Sequence, residues 1–179
     1  MKMAIVYASK SGFTKNYAKW LSETLSAELI ELNTISNGQL EDYDLLIYGG
    51  GLYAGGINGL KKFKKITLNY QPQKTIYFAT GASPNHPEVL PTLLKMNFNE
   101  DEAASVNLFY LRGGFDISKL TRLDRILMQL LKWKLMCIKE SKRTVDERGM
   151  LATYDHAADF TNIKYIEPIL AVVKYLEVL

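Results

Sequence analysis

The chain of 179 residues is poor in several residue types, and each scarcity excludes a class of protein. One cysteine, Cys137, and two histidines exclude an internal disulfide and a cysteine- or histidine-rich metal centre. No apolar run approaches the roughly 20 residues that span a bilayer. The N-terminal segment turns polar too early for a secretory signal. These absences predict a reduced, soluble protein of the cytoplasm.

The charge of the chain is small in total but unevenly distributed. The formal net charge is +3, yet residues 112–148 contain ten Lys or Arg and five Asp or Glu. The remaining chain has 12 basic and 14 acidic residues, so a basic segment lies within a slightly acidic body. The lysines of residues 61–65 lack the interleaved aromatic residues of a nucleic-acid site, and no nucleic-acid partner is predicted.

Short apolar runs typical of buried strands alternate with segments of helical periodicity. The predicted strands are residues 3–8, 28–32, 44–48, 74–79 and 106–111, and the predicted helices are residues 14–25, 59–66, 88–96 and 168–176. Alternation of this kind implies parallel pairing through right-handed crossovers. The pattern predicts one doubly wound α/β domain over residues 1–179, with a five-stranded parallel sheet.

A long connection, residues 112–158, separates the fifth predicted strand from the last helix. It far exceeds the usual connection of about 2–6 residues, and residues 119–138 have helical periodicity. Apolar residues cover more than half of this helix, and four basic residues share its opposite face: Arg122, Arg125, Lys132 and Lys139. Three partners remain open for it: an anionic membrane surface, a second copy in a homodimer, or the sheet edge of its own domain.

The residues between the first predicted strand and helix are suited to a phosphate. They are Ser9, Lys10, Ser11, Gly12, Phe13 and Thr14. Backbone N–H groups and the positive end of the helix dipole face a ligand at such a position, and the three hydroxyls add donors. The spacings of a Walker loop and of G-x-G-x-x-G are absent. Taken alone, these residues also fit an ordinary capped helix start.

This loop matches the pattern Ser/Thr-x-Ser/Thr-Gly-x-Thr and resembles the phosphate loop of the flavodoxins. Residues 47–55 resemble the loop that wraps the flavin ring in that family, and residues 80–84 occupy the equivalent position after the fourth strand. The resemblance implies a strand order of 2-1-3-4-5 and FMN as cofactor. Besides the phosphate loop, it assigns the cofactor to Gly50, Gly51, Leu52, Tyr53, Ala54, Thr80, Gly81, Ala82 and Ser83. The glycines at 49–51 are expected to leave room for the ring, and Tyr53 to stack on it.

Within the flavodoxins, the chain most resembles the flavodoxin-type, menaquinone-dependent protoporphyrinogen dehydrogenases, which share the style of the third loop and a long basic insertion. That resemblance implies oxidation of a planar, porphyrinogen-like substrate with transfer of electrons to a quinone. Because the flavin carries such chemistry, no catalytic side chain and no metal are expected. Two alternatives remain: an electron carrier without its own substrate, for which the sequence lacks an acidic rim, and a flavin-free interaction scaffold.

Overall fold

The computed structural model describes residues 1–36, 38–53, 55–68, 74–120, 122–143, 151, 154 and 157–178, which form a layered α/β fold. The strands are β1 (Met3–Ala8), β2 (Glu28–Glu31), β3 (Leu45–Tyr53), β4 (Gly56–Ile57), β5 (Lys74–Gly81), β6 (Asn107–Arg112), β7 (Gly114–Phe115) and β8 (Ala158–Asp159). The helices are α1 (Phe13–Leu25), α2 (Leu60–Thr67), α3 (Val89–Asn97), α4 (Glu100–Ser105), α5 (Arg122–Met136) and α6 (Glu167–Val178). Their alternation confirms the predicted α/β class.

The central sheet has the order β2-β1-β3-β5-β6, and each adjacent pair in that path is parallel. Counted as five main strands, this is the predicted order 2-1-3-4-5. The short β4 pairs antiparallel with the end of β3, and it was not predicted because two residues carry no hydrophobic period. The register places Ala8, Gly50 and Ala79 in one row, and Gly51 beside Thr80 in the next. The carboxyl ends of β1, β3 and β5 therefore lie at the same edge of the sheet, with β3 and β5 extending beyond the last residue of β1.

Both faces of the sheet are covered, which explains why its strands read as continuous apolar runs. Helices α1 and α6 pack on one face, where Tyr17, Leu21 and Ile169 are fully buried. Helices α2 and α3 pack on the other, through Phe63 and Leu93. The crossovers thus place helices on both sides of the sheet, as a doubly wound fold requires.

Two strands are longer than the sequence predicts. The prediction ended each strand at or just before a glycine, whereas in the structure both strands continue through their glycines. β3 continues through its three glycines to Tyr53, and β5 continues to Gly81. Gly49 pairs with Phe78 of β5, and a Cβ at Gly49 would overlap the Phe78 ring. These glycines remain in the strand because the neighbouring strands satisfy their backbone groups.

The role expected for the triple glycine is wrong in part. Phe78 fills the space beside Gly49, and the backbone of Asn58 with the Ile57 side chain fills that beside Gly50. Both glycines are therefore needed for the packing of the protein itself. A Cβ at Gly51 would instead lie 3.3 Å from the Thr14 hydroxyl oxygen, at the end of the sheet.

We expect Gly49→Ala to destabilise the fold by about 1–3 kcal/mol, because its methyl group cannot enter a packed core without moving the fully buried Phe78 ring. Gly56→Ala is the matched control, since a Cβ there meets nothing closer than 3.4 Å. Urea unfolding of both variants gives the comparison. Equal midpoints for Gly49→Ala and the wild type would show that Phe78 does not constrain β3.

Candidate functional site

The candidate site lies at the carboxyl edge of the sheet, where the loops after β1, β3, β5 and β6 meet. Strand β2 is added on one side of β1, whereas β3, β5 and β6 are added in turn on the other side. The order of the strands therefore reverses between β1 and β3. In open α/β sheets, ligands bind outside the strand ends at such a switch point. The geometry of the four loops decides which ligand fits there.

The loop after β1 ends at an uncapped helix. Gly12 is the N-cap residue of α1, with a left-handed φ of 93° that favours glycine, and no side chain caps the helix. The first turn of α1 holds no acidic residue, so nothing in that turn neutralises the positive end of its dipole. The Gly12 N–H donates to the Ser9 hydroxyl oxygen at 3.1 Å, which closes the loop. The arrangement fits a phosphate and differs from the capped start that the residues alone also allowed.

A hydroxyl pair joins the loop after β1 to the end of β5. The Thr14 and Thr80 hydroxyl oxygens are 2.6 Å apart, and both residues are buried. Gly51 lies beside both of them, with its α-carbon facing the two hydroxyls. The structure therefore brings the ends of β1, β3 and β5 together around this pair. Of the predicted loop residues, Phe13 is also buried, and its ring packs against Gly114.

The loop after β3 forms a short hairpin with β4. Leu52 pairs with Ile57, and Tyr53 pairs with Gly56. Ala54, which was also predicted to contact the cofactor, lies outside the described residues. The side chain of Asn97 holds the hairpin from below, donating to the Gly55 carbonyl at 2.9 Å and accepting from the Ile57 N–H at 2.8 Å. The sequence carries no signal for this role, because a single asparagine at a helix end is common.

Tyr53 takes part in a cluster that the sequence did not predict. The Lys10 ammonium lies 4.0 Å from the centre of the Tyr53 ring, and it also forms an ion pair with Asp124 of α5 at 2.8 Å. Burial, together with the nearby charge of Asp124, raises the pKa of Tyr53 to about 12, so its phenol is neutral at physiological pH. The expected stacking of Tyr53 on a flavin stays a prediction. The one signal for Asp124 was its position as an acidic residue in a basic segment.

The loop after β5 is held by residues of β6. The Tyr110 hydroxyl donates to the Ser83 carbonyl at 2.7 Å, and the Gly113 N–H donates to the Gly81 carbonyl at 2.7 Å. The Arg112 Nε–H donates to the Ala82 carbonyl at 3.4 Å. Three consecutive carbonyls of this loop are therefore fixed. The bracing gives the predicted ring-contacting residues Gly81, Ala82 and Ser83 a defined conformation.

Helix α5 leaves large apolar side chains exposed although part of it is buried. Asp124 and Leu135 are buried, and the Lys132 ammonium lies 5.4 Å from the centre of the Tyr154 ring, whereas Arg122 and Arg125 are exposed. Six large apolar side chains are 56% to 71% exposed: Leu123, Ile126, Leu127, Leu130, Trp133 and Met136. We call this set the apolar stripe. The described residues leave these six side chains accessible, and the choice among a membrane surface, a second copy and the sheet edge of the domain stays a prediction.

Among the described residues, no helix has the length and apolar character needed to cross a bilayer. The apolar stripe is exposed on a 15-residue helix that also carries charge.

Several solved structures are similar to the chain. A flavoprotein from Lactobacillus acidophilus in complex with FMN is 22% identical, with 62% of this chain and 91% of that chain covered and a TM-score of 0.45. A flavodoxin from the domain Archaea is 17% identical, with 87% and 100% covered and a TM-score of 0.43. A WrbA-like flavodoxin from Agrobacterium tumefaciens is 20% identical, with 69% and 87% covered and a TM-score of 0.43. No functionally curated protein matches the chain.

The family of the chain follows from a match to a family model. The model described as a flavodoxin domain matches residues 4–142, which is most of the chain and includes the loops after β1, β3, β5 and β6. This match agrees with the uncapped helix start and with the clustering of three strand ends described above. The chain therefore belongs to the flavodoxin domain family, whose cofactor is FMN.

Proposed function

We propose that this protein is an FMN-dependent oxidoreductase that oxidises a planar, porphyrinogen-like substrate and delivers the electrons to a quinone. The observation that carries the proposal is the meeting of the uncapped, acid-free start of α1 with Gly51 and Thr80 at the carboxyl edge of the sheet. A flavin held there supplies two-electron chemistry, and the protein then needs only to bind, orient and shield it.

The residues of the site divide this work. The backbone of the loop from Ser9 to Thr14 would hold the phosphate, with the dipole of α1 directed at it. Because Thr80 can donate its hydroxyl proton to Thr14, the Thr14 proton remains available for the phosphate. The ring would lie between the hairpin that carries Tyr53 and the braced loop of residues 81–83. Each turnover moves two electrons and two protons from the substrate to the quinone, which becomes a quinol.

The apolar stripe supports a quinone as the acceptor, because quinones partition into lipid. We propose that α5 rests on an anionic membrane surface from the cytoplasmic side. Exposed Arg122, Lys134 and Lys139 lie on the same segment as the stripe and would meet anionic headgroups, at roughly 1 kcal/mol for each basic residue near the surface. The ion pair of Asp124 with Lys10 supports a coupling between the two sites, because it holds α5, and with it the proposed membrane contact, beside the loop proposed to bind the phosphate.

The alternative of a simple electron carrier accounts for less of the structure. A carrier needs a docking rim, and the stripe on α5 is apolar with basic neighbours, unlike the acidic rim expected for such a protein. A carrier would accept electrons from many donors and would not oxidise a porphyrinogen on its own. Turnover by the purified protein with a porphyrinogen and a quinone separates the two functions.

We expect Thr14→Val to weaken FMN binding by about ten- to hundred-fold, since a hydrogen bond to a charged group contributes about 1.5–3 kcal/mol. Fluorescence titration of apoprotein with FMN measures the effect. Thr80→Val breaks the same hydroxyl pair but removes no phosphate donor, so it should lower stability as much while weakening FMN far less. Thr92→Val, at an exposed position of α3, is the neutral control.

Equal losses of FMN affinity in Thr14→Val and Thr80→Val would place the effect in the hydroxyl pair and contradict a direct role of Thr14 at the phosphate.

We expect the double variant Leu127→Glu with Leu130→Glu to lose vesicle binding and most quinone turnover, while the reduction of a small soluble dye persists. Both leucines are exposed, so the fold should tolerate the change. The measurements are sedimentation with vesicles of phosphatidylglycerol and phosphatidylcholine, and porphyrinogen oxidation with a vesicle-bound quinone. Binding of the wild type should fall with salt, because exposed charges are screened over about 8–10 Å at physiological ionic strength.

Lys19→Gln with Lys174→Gln, both exposed and on α1 and α6, lowers the net charge by the same two units and is the matched control for altered surface charge. A wild type that never binds vesicles but forms a dimer, which the double variant converts to a monomer, would assign the stripe to a homodimer. Unchanged quinone turnover in the double variant would contradict the membrane proposal.

A further inference from the structure

A cavity lies behind the braced loop of residues 81–83, on the side of β6. Its volume is about 140 Å³, and its lining residues are Pro84, Asn85, Tyr110, Arg112 and Tyr165. None of these five residues belongs to the predicted cofactor site. The cavity nevertheless shares a wall with it, because Tyr110 and Arg112 bond to the carbonyls of Ser83 and Ala82.

The Arg112 guanidinium in this cavity is fixed in place. Its central carbon lies 3.9 Å from the centre of the Phe160 ring, and its Nε–H donates to the Ala82 carbonyl. The Arg112 backbone is fixed as well, since its carbonyl accepts a hydrogen bond from the Tyr17 hydroxyl at 2.6 Å. Because stacking and the Nε hydrogen bond already restrict this guanidinium, it loses little conformational entropy when it binds an anion.

This guanidinium also lacks a neutralising partner within the described part of the chain. No described carboxylate lies within ion-pair distance of Arg112, whereas Lys10 and Lys64 each have one. The other lining groups are the amide of Asn85 and the rings of Tyr110 and Tyr165. The cavity is therefore lined by the guanidinium of Arg112, which can donate two parallel hydrogen bonds, by the amide of Asn85 and by two aromatic rings. This combination suits a carboxylate attached to a planar apolar body.

We infer that the cavity is a substrate subsite in which Arg112 binds a carboxylate of a planar aromatic substrate, with the ring system of that substrate against Tyr110 and Tyr165. The inference rests on the proposed function and extends it by naming the charged group that the substrate carries. Because Tyr110 and Arg112 also bond to the loop of residues 81–83, a molecule bound in the cavity would lie next to the predicted ring site. Arg112 would then decide which planar molecules are accepted.

The test uses 2-naphthoate as the probe and 2-naphthamide as its uncharged counterpart, titrated by calorimetry into the full-length protein with and without FMN. Naphthoate should bind the wild type better than naphthamide does. Arg112→Gln should weaken naphthoate about ten- to hundred-fold and leave naphthamide unchanged, as expected for a hydrogen bond to a charged group. Arg122→Gln, an exposed arginine on α5, should change neither.

Two further variants keep the test decisive if Arg112→Gln does not fold. Arg112→Lys retains the charge and the ring contact but loses the fork, so it should bind naphthoate several-fold more weakly than the wild type. Tyr165→Ala removes a half-exposed ring and should weaken naphthoate and naphthamide alike. Naphthoate affinity that is equal in the wild type, Arg112→Gln and Arg112→Lys would overturn the inference.

The FMN titration separates this inference from the proposed function. Arg112→Gln should keep its FMN affinity within about threefold of the wild type, because the phosphate loop is untouched. A protein that binds FMN but prefers naphthamide to naphthoate would refute the subsite and leave the flavin function standing. A protein that binds naphthoate through Arg112 but takes up no FMN would refute the flavin function alone.

Discussion

No side chain fits at Gly49 or Gly50 near the carboxyl end of β3, because the Phe78 ring fills the space at Gly49 and the Asn58 backbone with the Ile57 side chain fills that at Gly50. Strands β1, β3 and β5 are parallel neighbours, so the loops that follow them lie at the same edge of the sheet. The uncapped start of α1 lies at that edge because α1 follows β1 after four residues. The Thr14 and Thr80 hydroxyls meet beside Gly51, where a Cβ would lie 3.3 Å from the Thr14 hydroxyl oxygen. The geometry of the site is thus set by strand packing, and the polar groups take positions that the packing allows.

The insertion is joined to this geometry by an ion pair. Asp124 is buried at the inner face of α5 and pairs with Lys10 of the phosphate loop, while the apolar stripe on the outer face of α5 stays exposed. The inner face of α5 therefore contacts the candidate site, and its outer face exposes the apolar stripe to solvent. Asp124 is buried whereas Lys10 is partly exposed, and desolvation of the carboxylate offsets part of the attraction, so the ion pair holds position more effectively than it adds stability. We accordingly regard Lys10 and Asp124 as residues that position α5, and a deletion of the insertion would disturb the phosphate loop as well.

Hydrophobic periodicity was enough to predict the α/β class and the positions of the main strands and loops, because these depend on local patterns of burial. The order of the five main strands was predicted from the resemblance to the flavodoxins. Periodicity failed where the structure depends on contacts between residues distant in sequence. Lys10 and Asp124 are 114 residues apart, and no local pattern links them. The helical segment in the insertion was predicted, but apolar residues cover more than half of it, so periodicity cannot tell which of them are buried. Leu135 is buried, whereas the apolar stripe is exposed. The bracing of the loop after β5 by Tyr110 and Arg112 is equally invisible to periodicity, since it depends on the register between β5 and β6.

The central claim is that the loop from Ser9 to Thr14 binds a phosphate at the start of α1. The most direct test compares the affinity of the apoprotein for FMN with its affinity for riboflavin, which has the same ring system and no phosphate. Since the phosphate would accept several hydrogen bonds that riboflavin cannot replace, the account predicts that FMN binds at least about a hundredfold more tightly. Equal dissociation constants for the two flavins would contradict the phosphate site, and with it the assignment of function to this edge of the sheet.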